Sequence, residues 1–101
     1  MKESDFLKLA KQEISHIQDT LENSPMGDIY DIDMIGDILY IKFPDSREYV
    51  INKHSIALEL WLSSPISGAF HFAYDHSQGR WIDSKQNEIR ALLSKELGVK
   101  I

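Results

Sequence analysis

The chain has 101 residues, 43% of them apolar, with 16 acidic against 11 basic side chains and a net charge of −5, which suits one domain over residues 1–101 with an accessible surface of roughly 5,900 Å² and leaves no room for a second. The absence of cysteine excludes a disulfide framework, a thiolate zinc centre, a persulfide carrier and any iron–sulfur cluster held by this chain's own thiolates. An acidic balance disfavours nucleic acid, since too few cations are present to neutralise phosphates, and apolar runs such as Ile38 to Ile41 are far too short to span a bilayer.

In chain order, Phe6, Ala10, Ile14, Ile17 and Leu21 recur at the spacing of one helical stripe, with Ser4 as the expected N-cap and Ser24-Pro25 and Gly27 as the stop. From Ile29 the period changes to two, placing Tyr30, Ile32 and Met34 on one face of a strand and Asp31, Asp33 and Ile35 on the other. Gly36-Asp37 turns the chain into a second strand, Ile38 to Phe43. Pro44-Asp45-Ser46 turns it into a third, Tyr49 to Asn52, and Leu58 to Leu62 reads as a fourth. Ser63-Ser64-Pro65 with Gly68 breaks the meander, Phe70 to Tyr74 resumes it, and Arg80 to Ile82 ends it after a turn at His76 to Gly79. Ile89, Leu92, Leu93 and Leu97 mark a second amphipathic helix closed by Gly98.

Helix, five to six antiparallel strands, helix is the order of an α+β two-layer sandwich. Each helix has one apolar stripe, so both are expected on the same face of the sheet, with the other face left to water. Parity on the fourth strand sends Leu58, Leu60 and Leu62 to the core and Glu59, Trp61 and Ser63 outward. An outward tryptophan is unfavourable unless something uses it.

The charge is unevenly spread. Residues 1 to 37 hold nine acids against Lys2, Lys8 and Lys11, whereas the rest of the chain is nearly neutral. Between Asp19 and Asp37 there are six carboxylates and no Lys or Arg, a run that reads as solvated surface, cation site or docking surface.

Tyr49-Val50-Ile51-Asn52-Lys53, Leu60-Trp61-Leu62-Ser63-Ser64-Pro65 followed by Ser67-Gly68, and Gly79-Arg80-Trp81-Ile82 leading to Leu92-Leu93 resemble the frataxin family, most closely its bacterial CyaY type, and the resemblance covers nearly the full length. Ser4-x-Phe6-x-x-Leu9-Ala10 and the acidic Asp28 to Asp33 segment agree with it. The resemblance implies the sandwich fold and a role in iron–sulfur cluster assembly, in which an acidic ridge binds iron and the protein docks on the cysteine desulfurase and scaffold complex. Departures fall at His54 and Glu59, where the family often has Gln, and at His71. Longer members continue beyond the position of Ile101 with a tail between the helices; here only Val99 and Ile101 are expected to reach that groove, at a stability deficit of ~1 to 3 kcal/mol.

Within that frame Asp19, Glu22, Asp28, Asp31 and Asp33 are the candidate metal ligands. Asp19 and Glu22 lie one turn apart near the C-terminal end of the first helix, where negative charge opposes the helix dipole by ~0.3 to 1 kcal/mol each. Asp31 and Asp33, two apart on a strand, repel by ~0.6 kcal/mol even at the dielectric of water. A bound cation reverses that sign. Open carboxylates without His or Cys suit ferrous and ferric iron, Ca²⁺, Mg²⁺ and Mn²⁺ alike, weakly and with little selectivity. The spacing fails the EF-hand template. The bland alternative is a solvated face that only keeps the protein soluble.

Trp61 is the candidate docking anchor, with Asn52, His54, Glu59 and His71 as its rim and Asp37 grouped with the partner-facing residues. Trp81 is expected in the core, and His16 and His76 at the surface. No Gly-x-Ser-x-Gly elbow, phosphate loop or HExxH helix is present. The leading reading is a non-enzymatic, iron-binding regulator, monomeric, in a bacterial cytoplasm, the N-terminus having no h-region or Arg-rich presequence. The alternative is a ferroxidase that oxidises Fe(II) at the same carboxylates and stores it by iron-dependent oligomerisation; the missing Glu-x-x-His pair of di-iron proteins speaks against it.

Overall fold

Phe6, Ala10, Ile14, Ile17 and Leu21 are all buried along one side of helix α1, Glu3–Glu22, in a computed structural model that describes residues 1–101. Ser4 is not the N-cap. The helix begins two residues earlier, at Glu3; Lys2 occupies the cap position without a side-chain bond, and Glu3 and Asp5 complement the positive end of the dipole instead. Beyond α1 the chain forms a short 3-10 helix, Pro25–Asp28, in which the Ser24 hydroxyl accepts from the Met26 amide at 3.1 Å. Strand β1 therefore spans Asp31–Ile35 and does not reach back to Ile29.

The remaining elements are β2 (Ile38–Lys42), β3 (Glu48–His54), β4 (Glu59–Ser64), β5 (Gly68–Asp75), β6 (Arg80–Ile82) and α2 (Ile89–Leu97). The six strands form one antiparallel meander in sequence order. Gly36 and Asp37 both adopt positive φ, 54° and 67°, in the two-residue loop between the paired Ile35 and Ile38. Such a loop matches the twist of the strands it joins. Leu58, with φ 56°, belongs to the turn before β4, and Ser63 and Ser64 remain in the strand instead of breaking it.

Strand parity decides which sheet residues face the helices. Leu39, Ile41, Tyr49, Ile51, Leu60, Leu62, Phe72 and Trp81 all point to one side and join the buried residues of both helices in a single core cluster of 17. Trp81 is 2% exposed and packs edge-on against Phe6 and Tyr74. Val99 and Ile101 lie half-buried against this cluster, and the Ile101 amide donates to the Ser94 hydroxyl at 3.0 Å. The accessible surface is 5999 Å², close to the value expected from mass. Met34 keeps its parity, opposite Leu39 on the side of α1, but on the edge strand it stays exposed and lines a hollow of about 180 Å³ between α1 and the β1–β2 turn. His16 is half-buried, not a free surface group, and its Nε2 is shielded without a hydrogen-bond partner. His76 is exposed, as expected, against the Tyr74 ring.

Candidate functional site

The acidic run folds into a rim built by α1, the 3-10 helix and β1, which touch one another. Asp19 and Glu22 are exposed on the last turn of α1, which contains no basic residue. Asn23 ends the helix there, donating from its side chain to the Asp19 carbonyl at 2.8 Å. Gly27 folds the following turn so tightly onto the Glu22 carbonyl that a Cβ would collide with it, and this brings exposed Asp28 round beside the helix end. Asp31 and Asp33 are exposed on the sheet face that points away from the helices, opposite Lys42 and Tyr40 in the β1–β2 register.

None of these five carboxylates is ion-paired; the Lys and Arg pairs of the molecule are Arg47–Asp45, Lys53–Asp37 and Arg90–Glu13. Glu22 accepts from the Gln18 amide at 3.0 Å. The fold does not gather the five into one chelate, however. No three acidic or histidine side chains converge on a common point, so Asp19, Glu22 and Asp28 form one part of the rim and Asp31 with Asp33 another. Such a surface offers a cation carboxylates singly or in pairs and leaves most of its coordination sphere to water. Asp37 stands apart from both, 3.5 Å from Lys53.

The second feature stands on the open face of the sheet. Asn52, Trp61 and His71 are cross-strand neighbours, and so are His54, Glu59 and Ala73. The imidazoles of His54 and His71 sandwich the Trp61 indole, with ring centroids at 3.9 and 4.3 Å and planes within 9° of parallel. Trp61 Nε1 donates to Glu59 Oε1 at 3.1 Å, and the same oxygen lies 3.9 Å from His71 Nδ1. His54 Nδ1 accepts from the Ala57 amide at 3.2 Å. Every rim residue expected around Trp61 is thus present. The small side chains of Ala69 and Ala73 flank His71 and leave open hollows beside it, the larger about 550 Å³ and lined by Glu59, His71, Tyr74, Asp75 and Asp83.

The frataxin-like domain model matches residues 1–101. The chain belongs to the frataxin family, CyaY type. It is 34% identical over 88 residues to the iron-sulfur cluster assembly protein CyaY of Ralstonia nicotianae, covering 85% of this chain and 75% of that one. To the mitochondrial frataxin of Arabidopsis thaliana it is 32% identical over 101 residues, 96% of this chain but only 54% of that protein, so it spans about half the relative's length. Among solved structures it resembles the frataxin of Psychromonas ingrahamii, with a TM-score of 0.79, 26% identity and coverage of 100% of this chain and 96% of that one. It also resembles the trimeric yeast frataxin complexed with ferrous iron, with a TM-score of 0.76, 26% identity and coverage of 89% and 82%.

The chain also contains carboxylates whose sequence positions gave no warning of their role. Glu13 is buried on α1 and receives both Arg90 Nε and Nη2 at 2.8 Å from α2; hydrogen bonding to Glu13 holds the guanidinium above its ordinary value against the opposing effect of burial. Glu96 accepts hydroxyl protons from Tyr49 and Ser64, each at 2.7 Å, and from Ser67. Burial acts to raise its pKa, but the hydroxyls of Ser67, Ser64 and Tyr49 together hold it below the usual carboxylate value. Burial and the Glu96 carboxylate push the Tyr49 phenol strongly upward. Glu96 thus ties α2 to β3 and to the Ser64–Ser67 turn. No local sequence signal marks Glu96, because its three donors lie 29 to 47 residues away.

Proposed function

We propose that this protein is an iron-binding regulator of iron–sulfur cluster assembly. In this reading Asp19, Glu22, Asp28, Asp31 and Asp33 bind ferrous or ferric iron weakly at the surface. The rim and the Trp61 face, with Asn52, His54, Glu59, His71 and Asp37 around them, dock a monomer of this chain on the cysteine desulfurase and scaffold complex in a bacterial cytoplasm. It acts by setting the delivery of iron and sulfur, not by catalysing a reaction.

One observation carries the reading: five exposed acids on adjoining elements are left without a Lys or Arg partner, while the carboxylates that organise the fold are saturated with donors. Uncompensated charge of one sign lowers stability and is relieved by a cation or a cationic protein. The names of the relatives, iron-sulfur cluster assembly proteins and a yeast frataxin complexed with ferrous iron, support the choice of iron and of that pathway. No helix is long and apolar enough to cross a membrane.

The test has two arms. Substoichiometric Fe(II) added to the ¹⁵N-labelled chain is expected to broaden the amides of Asp19, Glu22, Asp31 and Asp33 and to spare the Trp81 region; broadening elsewhere, or none, removes the metal assignment. Association with the desulfurase is expected to weaken steeply as salt rises, and a flat salt dependence removes the electrostatic docking.

A further inference from the structure

By strand parity the open sheet face carries Asp31, Asp33, Glu48, Glu59 and Asp75 against Lys42 and Arg80, an excess of three negative charges. The same face holds two imidazoles, His54 and His71, and histidine is the side chain that ordinarily changes charge between about pH 5 and 8. Both are stacked on Trp61. Indole and imidazoles therefore form one unit in which the two faces of the indole are already covered. A partner's Arg or Lys cannot lie over the indole without displacing a histidine, so a docking protein meets the ring edges.

We propose that this three-ring stack is a proton-tuned docking surface for a cationic protein partner. When neutral, His54 and His71 hold Trp61 in one orientation, which lowers the ordering needed at association. When protonated, they remove two of the three excess negative charges of the face. The inference rests on the docking reading above and extends it to the control of that contact.

The two histidines respond differently. His54 takes the Ala57 amide on Nδ1, so the ring as placed carries its proton on Nε2. A second proton on Nδ1 sets two N–H groups against each other, and the charged ring has to leave that contact. His71 Nδ1 instead faces Glu59 Oε1 at 3.9 Å, where a proton forms an ion pair and draws Glu59 from the Trp61 N–H. Around His71 the other charged groups are Asp75 on β5 and Asp83 and Lys85 after β6. Around His54 the facing charge is Glu59 on β4. Acid thus disrupts the hydrogen bonds that fix His54 and the Trp61 N–H as it neutralises the surface around them.

The experiment follows the Trp61 indole N–H resonance of the free chain from pH 8 to pH 5.5, identified against Trp81 by its loss in Trp61→Phe, beside the imidazole signals of His54 and His71. In parallel, affinity for the desulfurase–scaffold complex is measured at pH 7.5 and 6.0 for the wild type and for His54→Gln/His71→Gln, whose places on the open sheet face spare the core. The Trp61 resonance is expected to move with the imidazole titrations and to stay fixed in the double variant. Wild-type affinity is expected to fall by roughly threefold to tenfold more than that of the variant. A Trp61 resonance indifferent to both imidazoles overturns the stack as a proton-responsive unit, and equal loss of affinity in both proteins overturns its role in docking. A complex that binds neither protein at any pH refutes the docking reading and the partner half of this inference with it, while the resonance still decides the stack.

Discussion

Two sets of carboxylates in this molecule have opposite surroundings. Between the helices and the Ser64–Ser67 turn, Glu13 and Glu96 lie in polar pockets where a bidentate guanidinium and three hydroxyls meet them. Along the rim, Asp19, Glu22, Asp28, Asp31 and Asp33 stand in solvent without an ion pair to any Lys or Arg, although Lys42 faces Asp31 across the β1–β2 register. A carboxylate desolvated by packing has to be satisfied inside the fold. One left at the surface among like charges is free to be satisfied by something else. The first set therefore specifies how α2 seats on the sheet, and the second is open to exchange with a metal ion or another protein.

The largest effects are expected where a buried charge loses its partner. Arg90 is 42% exposed and Glu13 7%, so the pair is asymmetric. Arg90→Met strands a buried carboxylate and should lower unfolding free energy by about 2 to 3 kcal/mol, less than for a wholly buried pair because part of the site is wet. Glu13→Gln leaves a guanidinium that water can reach and should cost about 1 kcal/mol. Denaturant unfolding of the two variants that returned the reverse order would break the comparison on its satisfied side.

Next comes Glu96→Gln, expected to cost about 1 to 2 kcal/mol at pH 7 through weakened bonds from three hydroxyls. Because the folded-state pKa of Glu96 is depressed, its ionised form contributes stability that is complete above the unfolded carboxylate value and is lost as pH falls through the folded one. The gap between wild type and Glu96→Gln should accordingly be widest near neutrality and close on acidification below about pH 4. A gap that stayed constant with pH would mean that geometry, not charge, carries the contact.

The smallest and most informative change is on the rim. Asp31→Asn with Asp33→Asn should raise the stability of the metal-free chain by about 0.5 kcal/mol while weakening both iron and partner binding. A loss of stability there would show that these carboxylates have internal roles after all and would erase the contrast with Glu13 and Glu96.

Much of the fold was readable because burial imposes period on sequence. The stripe from Phe6 to Leu21, the alternation along β2 to β5 and the Gly36-Asp37 turn each depend on neighbours within a few residues. Parity alone sent Trp61 outward. What sequence did not disclose needs partners far apart in the chain: Glu13 looks like one more surface acid until Arg90, 77 residues away, meets it across the helix pair. His54, Trp61 and His71 become a stack only when three strands fall into one register. The start of β1 was misread for a local reason, since the 3-10 turn opened by Ser24 and Pro25 consumes residues whose apolar pattern continues smoothly into the strand. The rim residues were correctly singled out as exposed acids, but their division into two groups follows from layer geometry, with α1 on one side of the sheet and the Asp31–Asp33 face on the other.

Within the first of these groups, one small residue joins the end of the helix, with Asp19 and Glu22, to the turn that carries Asp28. With Gly27 pressed against the Glu22 carbonyl, even a methyl group at this position acts as a wedge, forcing the turn off the helix end without altering the charge count. Gly27→Ala would therefore separate spacing from charge. If ions and proteins recognise only the total negative potential, the wedged chain should bind as before; if they bridge carboxylates from both segments, affinity should drop although every acid remains. The reach of Asp28 toward Asp19 and Glu22 is thus calibrated by the absence of a side chain.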